Sequence, residues 1–349
     1  MPLDNSDIAE LLALRAEQLM GDRQRAYRRA SRAAYKWPEE ATVIIAEGRS
    51  LTELTGIGVK LSGLIKSWLD EPPEVPEPPP TRAGFMTFAH ALDVIAATND
   101  PPMARGDLQM HTTASDGRAS IEEMARAGAD LGYEYISITD HSHGLKIAGG
   151  MDEAELVEQG REIDRVNEEL TSSGLSFTVL KSLEMNLDPH GHGDMDPDSL
   201  AHLDLVLGSF HSALRKKEDQ TDRYVAALRN PDIHVLGHPR GRIYNFRVGL
   251  TADWPKVFAM AAEEDKALEI DGFPDRQDLN VELLRLARDS GAFISMGTDA
   301  HTQSELQFMP VGIAAAIEAE IAPEKILNLM SADELRSWAS DRDRRRVDR

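Results

Sequence analysis

The alternation of short apolar runs with longer amphipathic stretches, beginning near Asp107, constrains the fold of this chain most strongly. Helical apolar spacing occurs between most of the runs, for example in Ile121–Leu131, Met151–Thr171 and Val281–Ser290. Seven runs have the length and composition of buried strands: Asp107–Met110, Tyr135–Thr139, Phe177–Leu183, Leu205–Ser209, Ile233–Gly237, Ala267–Ile270 and Phe293–Gly297. This rhythm is typical of repeated parallel βα units.

Repeated βα units form either a closed barrel or an open, doubly wound sheet. A dinucleotide-binding sheet needs a glycine-rich phosphate loop after its first strand, and no such loop follows Asp107–Met110. We therefore predict an α/β fold in which the strands form a TIM-like barrel.

A proline-rich segment, Glu71–Pro80, separates the barrel region from what precedes it. Its composition excludes a helix or a central strand and indicates an extended linker. Helical patterns are predicted on both sides of it: Ile8–Met20, Arg23–Lys36, Glu39–Glu47, Leu51–Leu69 with a turn at Gly56-Ile57-Gly58, and residues 84–98. We divide the chain into an all-α domain (1–70), a linker with a connecting helix (71–104), the barrel (105–340) and a charged tail (341–349).

The charge and composition narrow the partners and the chemistry. The formal net charge of −22 argues against a large nucleic-acid surface, but residues 1–69 carry ten Lys and Arg against nine Asp and Glu and are compatible with DNA. The absence of cysteine means that any metal must be held by His, Asp or Glu. The N-terminus does not resemble a signal peptide, and no apolar run reaches the roughly 18–20 residues of a membrane span, so we expect a cytoplasmic protein without a membrane partner.

Titratable side chains follow six of the predicted strands at their carboxyl ends, where barrel active sites are built. One histidine at a strand end is more often a satisfied polar residue than a ligand. Here five of the eleven histidines follow five different strands, namely His111, His141, His211, His238 and His301, and they are joined by Asp116, Glu184 and Asp299. Burying so many charged groups together without a cation would cost on the order of several kcal/mol of free energy for each group. The pattern therefore predicts a metal centre.

The motifs at the strand ends resemble those of the PHP (polymerase and histidinol phosphatase) family. They are Gln109-x-His111 with Ser115-Asp116-Gly117, Thr139-Asp140-His141, Glu184, Ser209-x-His211, Gly237-His238-Pro239 and Thr298-Asp299-Ala300-His301. The segments Asp107–Thr113 and Gly144–Gly150 are similar to the PHP domain attached to bacterial family X DNA polymerases. The resemblance covers about residues 105–335 in order.

The resemblance implies a distorted (β/α)7 barrel that holds two to three Mn, Zn or Fe ions. It also implies a metal-bound hydroxide as the attacking group. The implied ligand positions are Gln109, His111, Asp116, His141, Glu184, His211, His238, Asp299 and His301. Gln109 stands where the general pattern has histidine, and an amide oxygen is a poorer ligand than imidazole for these metals.

Other residues near the motifs have supporting roles in this interpretation. Arg240 and Arg242 follow His238 and are candidates to bind a substrate phosphate, Arg242 more so because it matches the family position. Asp140 and His143 flank a ligand and are candidates to support it. His190 and His192 imitate a ligand pair, but we favour a loop over another metal site there.

The segment Leu54–Lys60 resembles a helix-hairpin-helix, in which Gly56, Gly58 and Lys60 would contact DNA phosphate. Together with the basic stretch before it, this segment is similar to the small lyase domain of family X polymerases. The position of that domain's Schiff-base lysine falls on Leu64, which disfavours lyase chemistry. No paired-aspartate nucleotidyl-transfer motif lies between this segment and the barrel, so we do not expect a polymerase.

These observations favour a metal-dependent phosphoesterase that processes DNA 3′ ends, or acts as a 3′–5′ exonuclease or endonuclease, in DNA repair. One alternative is a small-molecule phosphatase of the histidinol-phosphatase type. The other is a catalytically weak DNA-binding adaptor, which the departure at Gln109 would allow.

Overall fold

The computed structural model describes residues 2–347, and of residues 341–347 it describes only the backbone. The first part of the chain is helical and has its own apolar core, which includes Ile8, Leu12, Trp37 and Ile44. Its helices are α1 (Asn5–Glu17), α2 (Gly21–Ala34), α3 (Ala41–Ala46) and α4 (Val59–Asp70).

The helix that was predicted to begin at Leu51 is shorter than expected. Leu51–Glu53 forms a single 3-10 turn, which Ser50 and Glu53 close through a capping box. Gly56 then adopts a φ of +83°, which turns the chain towards α4. The full helix before the glycine turn is therefore α3, and not a helix that begins at Leu51.

Residues 72–79 contain no helix or strand, and the following helix α5 (Phe88–Ala97) starts at a Thr87 cap. The segment between them ties the helical region to the barrel. The Arg82 guanidinium binds Glu10 of α1, and Ser31 of α2 lies 2.9 Å from the hydroxyl of Tyr244, a residue that follows the fifth strand.

The predicted seven-stranded barrel is confirmed. The strands are β1 (Gly106–Asp107), β2 (Tyr135–Ile138), β3 (Thr178–Asn186), β4 (Leu205–Ser209), β5 (Val235–Gly237), β6 (Ala267–Asp271) and β7 (Phe293–Gly297). They pair in sequence order, and every pair is parallel. The residues after β1 complete the ring, because Met110 bridges Ala300 and the His111 N–H donates to the Ala300 carbonyl oxygen.

Helices cover the outside of the barrel. They are α6 (Ile121–Asp130), α7 (Glu153–Ser172), α8 (Pro197–Leu200), α9 (Thr221–Arg229), α10 (Trp254–Glu263), α11 (Val281–Ser290), α12 (Met309–Glu318) and α13 (Ala332–Val347). The last of these crosses residue 340, where the charged tail was expected to begin; residues 348 and 349 lie outside the described part. Among the helices described, none is long and apolar enough to span a membrane.

Apolar side chains fill the amino-terminal end of the barrel. Leu108, Leu180, Leu207 and Val235 point into one buried cluster there, and Trp338 of α13 covers it. Apolar side chains thus close the amino-terminal end of the barrel. The polar residues that follow the strands lie together at the opposite, carboxyl end.

Candidate metal centre

Glu184, at the carboxyl end of β3, lies at the centre of the polar cluster. Its carboxylate oxygens are 2.8 Å from His238 Nε2, 3.0 Å from His141 Nδ1, 3.2 Å from His211 Nε2 and 3.5 Å from His111 Nε2. The Glu184 side chain is fully buried. A carboxylate surrounded in this way could hold a metal ion together with these histidines.

Two aspartates extend the cluster away from Glu184. Asp299 Oδ1 lies 3.0 Å from His111 Nε2, and Asp116 Oδ1 lies 3.6 Å from His141 Nε2 and 3.4 Å from His301 Nε2. The structure thus brings the eight predicted His, Asp and Glu ligands into one continuous group.

Within this group two sets of three side chains have ligand atoms within 4.8 Å of one another. One set is His111, His141 and His301; the other is His141, Glu184 and His211. The two sets share His141, and each of them could hold a metal ion.

Several atoms of the centre lack a hydrogen bond of good geometry within the described part of the chain. They include both carboxylate oxygens of Glu184 and the Nδ1 atoms of His111 and His141. Unpaired buried polar atoms are costly, whereas imidazole nitrogens and carboxylate oxygens are the donors that Zn, Mn and Fe accept. The donor set therefore fits divalent transition metals.

The electrostatics of the protein without metal lead to the same conclusion. Burial opposes both charges, yet His141, His211 and His238 hold the pKa of Glu184 well below its usual value. Against the same burial penalty, Glu184 raises the pKa of His238 to about 10, and Asp116 and Asp299 raise the pKa of His301 to about 9. Protons on these histidines thus occupy positions that cations would take.

Gln109 lies beside the cluster and faces a carboxylate that the sequence reasoning missed. With its amide nitrogen turned towards Glu269, Gln109 donates to the two carboxylate oxygens at 2.5 and 3.2 Å. Glu269 also accepts from the backbone N–H of His238 at 2.5 Å. The signal for Glu269 was present, since it and Asp271 are the acids of the otherwise apolar strand β6.

Curated relatives establish the family. A probable phosphatase of Caldicellulosiruptor bescii is 30% identical over 232 residues, which cover 62% of this chain and 88% of that protein. The chain belongs to the PHP family of phosphoesterases. A probable phosphatase of Escherichia coli, YcdX, is 23% identical over 64% of this chain and 89% of its own length. No family model matches the sequence.

A polymerase relative covers more of this PHP chain. The DNA polymerase/3′-5′ exonuclease PolX of Bacillus subtilis is 34% identical over 273 residues, or 78% of this chain. These residues amount to 46% of the polymerase, so this chain spans less than half of its length. The names of these relatives and the buried His/Glu cluster together identify this PHP protein as a phosphoester hydrolase.

Arg276 is a second residue that the sequence reasoning missed. It follows β6, and its Nη1 lies 2.6 Å from Asp299 Oδ2. Despite burial, Arg276 and His111 lower the pKa of Asp299. No motif marks Arg276, because only the fold brings the residues after β6 to those after β7.

The structure does not bring the two predicted phosphate-binding arginines to the PHP centre. The Arg242 guanidinium donates to the carbonyl oxygens of residues 83–84, both at 3.1 Å, and stacks 3.6 Å from the Phe85 ring centroid. Arg240 donates to the Val248 carbonyl oxygen at 2.9 Å. Arg242 therefore holds the segment that joins the helical region to the barrel.

Asp140 supports the centre through the loop that carries Asp116. It is fully buried and accepts hydrogen bonds from the Thr112 N–H and hydroxyl, the Ser115 hydroxyl and the Gln159 amide at 2.5 to 2.7 Å. A carboxylate with four donors fixes the path of the loop.

The remaining predicted histidines lie away from this network. His143, proposed as a support, is exposed. His190 and His192 are exposed in the loop after β3, where the backbone N–H groups of both donate to Asp188.

The residues expected to contact DNA lie at the start of α4. Gly58 is the N-cap of α4, and a Cβ on Gly56 would lie 3.2 Å from Ala33 of α2, so the turn packs closely on that helix. Lys60 is exposed and lines a cleft of about 620 Å³ together with Arg23 and Tyr27.

Proposed function

We propose that this PHP protein hydrolyses phosphodiester bonds at DNA 3′ ends, as a 3′–5′ exonuclease in DNA repair, with two to three divalent ions in the centre. The proposal rests on one observation: the same chain contains both the Glu184 cluster and a helical region with basic clefts. The similarity to PolX, whose name includes a 3′-5′ exonuclease, supports the choice of substrate.

The ligands of the proposed ions are His111, Asp116, His141, Glu184, His211, His238, Asp299 and His301, with Gln109 at the edge of the set. Mn, Zn or Fe bound there would lower the pKa of water and neutralise charge on the phosphoryl oxygens.

In this proposal, Arg276 and Asp140 help to position the substrate. Arg276, beside Asp299, places a guanidinium where it can bind a phosphoryl oxygen. Asp140 holds the Asp116 loop in place while the substrate enters.

A small-molecule phosphatase is the second candidate, because the probable phosphatases align with this chain over nearly nine tenths of their own length. Values of kcat/KM for a single-stranded oligonucleotide and for histidinol phosphate, measured with Mn, separate the two. We expect the oligonucleotide to be preferred about a hundredfold or more, as a difference of roughly 3 kcal/mol in transition-state binding. A preference for histidinol phosphate would replace the DNA proposal with the phosphatase.

A further inference from the structure

A basic cleft separates α2 from the turn that follows β5. It has a volume of about 590 Å³, and Arg25, Arg28, Arg29 and Arg32 line one wall. We call it the arginine cleft. Asp22 is the only acid among its lining residues and pairs with Arg25. The formal net charge of the whole chain is −22, so the sign of the charge in this cleft is opposite to that of the chain.

The arginines occupy the face of α2 that points away from the apolar core. Ala30, Ser31 and Ala34 on the other face are buried, whereas the four arginines are exposed. Arg25 and Arg32 are seven residues apart, about 10 Å along the helix axis. This span exceeds one phosphate group and suits successive phosphates of a strand.

An exposed aromatic ring forms the opposite wall. Phe246 is 56% exposed at the tip of the turn closed by the bridge between Ile243 and Arg247. The Arg215 guanidinium lies 4.7 Å from the centroid of the Phe246 ring. Exposed aromatic rings flanked by arginine are platforms on which unpaired bases stack.

Two ion pairs connect the cleft with the metal centre. Arg32 Nε lies 3.1 Å from Asp275, and the next residue, Arg276, contacts Asp299 of the centre at 2.6 Å. Burial, together with the positive charges of Arg276 and Arg215, lowers the pKa of Arg247.

We propose that the arginine cleft guides a single DNA strand to the metal centre, with the α2 arginines on its phosphates and Phe246 stacked on a base. The proposal rests on the DNA function proposed above and adds the route by which the strand arrives. A base inside a duplex is already stacked on its neighbours and is not available to Phe246, so the cleft favours single strands over duplexes.

Binding of a fluorescent single-stranded oligonucleotide, followed by anisotropy in EDTA, tests the cleft without turnover. In Arg28→Gln/Arg29→Gln we expect Kd to rise about tenfold and the slope of log Kd against log salt to fall by about 1.4, or 0.7 for each lost phosphate contact. Phe246→Ala should raise Kd by about tenfold, and Phe246→Tyr should restore it. Arg161→Gln/Arg165→Gln on the exposed face of α7 removes equal charge and should retain the original Kd.

Unchanged affinity in both cleft variants would overturn the proposal, as would an equal loss in the α7 variant or a larger loss for duplex than for single-stranded DNA. Rates with Mn on the oligonucleotide and on p-nitrophenyl phosphate separate this failure from failure of the proposed function. If the protein cleaves DNA and the cleft variants bind normally, only the cleft is wrong. If it hydrolyses neither substrate, the proposed function is wrong, while anisotropy still decides the role of the cleft.

Discussion

Two buried clusters of charge in this molecule differ in how they are neutralised. Between the helical region and the barrel, Arg82 binds Glu10 through two hydrogen bonds of 2.7 and 2.8 Å, and both side chains are almost fully buried. At the mouth of the barrel, Glu184 is equally buried and faces four histidines.

The Arg82 cluster has matched donors and acceptors. The planar guanidinium also donates to Glu17 and Asn245. The charged groups of this cluster are therefore paired with one another within the protein. In the Glu184 cluster, both oxygens of the carboxylate lack a hydrogen bond of good geometry within the described residues. Buried charge is therefore structural in the first cluster, whereas the second could hold metal ions.

The largest expected effect comes from removing a ligand of the second cluster. His238→Ala and Asp299→Ala should each lower kcat by about a thousandfold or more, since each removes a donor that holds the ions on which hydrolysis depends. Turnover of the oligonucleotide and far-UV circular dichroism are the measurements. His192→Ala, in the exposed loop after β3, is the matched control and should keep its rate; full turnover in either ligand variant would exclude that ligand from the reaction.

Substitutions in the first cluster should change the stability of the protein and not its catalytic activity. Arg82→Met leaves Glu10 buried without its partner and should lower the free energy of unfolding by about 3–5 kcal/mol in urea titrations. Metal content should stay the same. Arg82→Met/Glu10→Leu should recover most of the loss, and Arg49→Met, in an exposed network, should cost less than about 1 kcal/mol. A single Arg82 variant as stable as the original chain would show that this cluster contributes nothing.

Metal uptake should depend on pH in a defined direction. In the folded protein without metal the pKa of His238 is raised to about 10 and that of His301 to about 9, so both are protonated at neutral pH. Their ion pairs stabilise the metal-free protein below about pH 6.5, and this contribution is lost as the pH rises towards those values. Metal must displace these protons, so its affinity should rise between pH 6 and 8, by about tenfold per pH unit for each proton released.

Calorimetry in buffers of different ionisation enthalpy measures that proton release directly. His238→Ala should release fewer protons for each ion bound. Uptake that is independent of pH, with no proton release, would contradict the protonated state of the centre.

The strands were predictable because six of the seven apolar runs end at a polar motif. For β4 and β7 the predicted bounds, Leu205–Ser209 and Phe293–Gly297, are those of the structure. β1 is shorter than predicted, since the chain after Asp107 bends to reach Ala300 across the gap in the ring.

The candidate site was only partly predictable, and the reasons are geometric. Strand ends converge in any parallel barrel, so the spacing of the motifs was enough to bring together the predicted His, Asp and Glu ligands. Arg242 follows His238 closely in sequence, but the chain turns at Gly241, with a φ of +60°, and sends the guanidinium to the linker. Arg276 lies far from the Asp299 motif in sequence, so only tertiary structure reveals their contact.

The smallest expected effect concerns Gln109, where the chain departs from the family pattern. An imidazole nitrogen is a better donor than an amide oxygen for borderline metals, so Gln109→His should tighten the weakest ion site by about tenfold. Competition against a chelator measures the affinity, and the Mn concentration for half-maximal activity should fall with it. Glu269, which now accepts from the Gln109 amide, would accept from the second ring nitrogen and orient the imidazole.

The double variant Gln109→His/Glu269→Gln separates ligation from orientation. If Glu269 orients the new imidazole, the double variant should lose most of the gain in affinity while retaining the ring. A tighter site with slower turnover in Gln109→His would mean that Gln109 keeps one ion exchangeable, and measuring affinity and rate on the same samples distinguishes this result from a simple gain. Unchanged affinity in Gln109→His would place residue 109 outside the reach of the ions. The contact between Gln109 and Glu269 would then be a structural contact that involves no metal, like the one between Arg82 and Glu10.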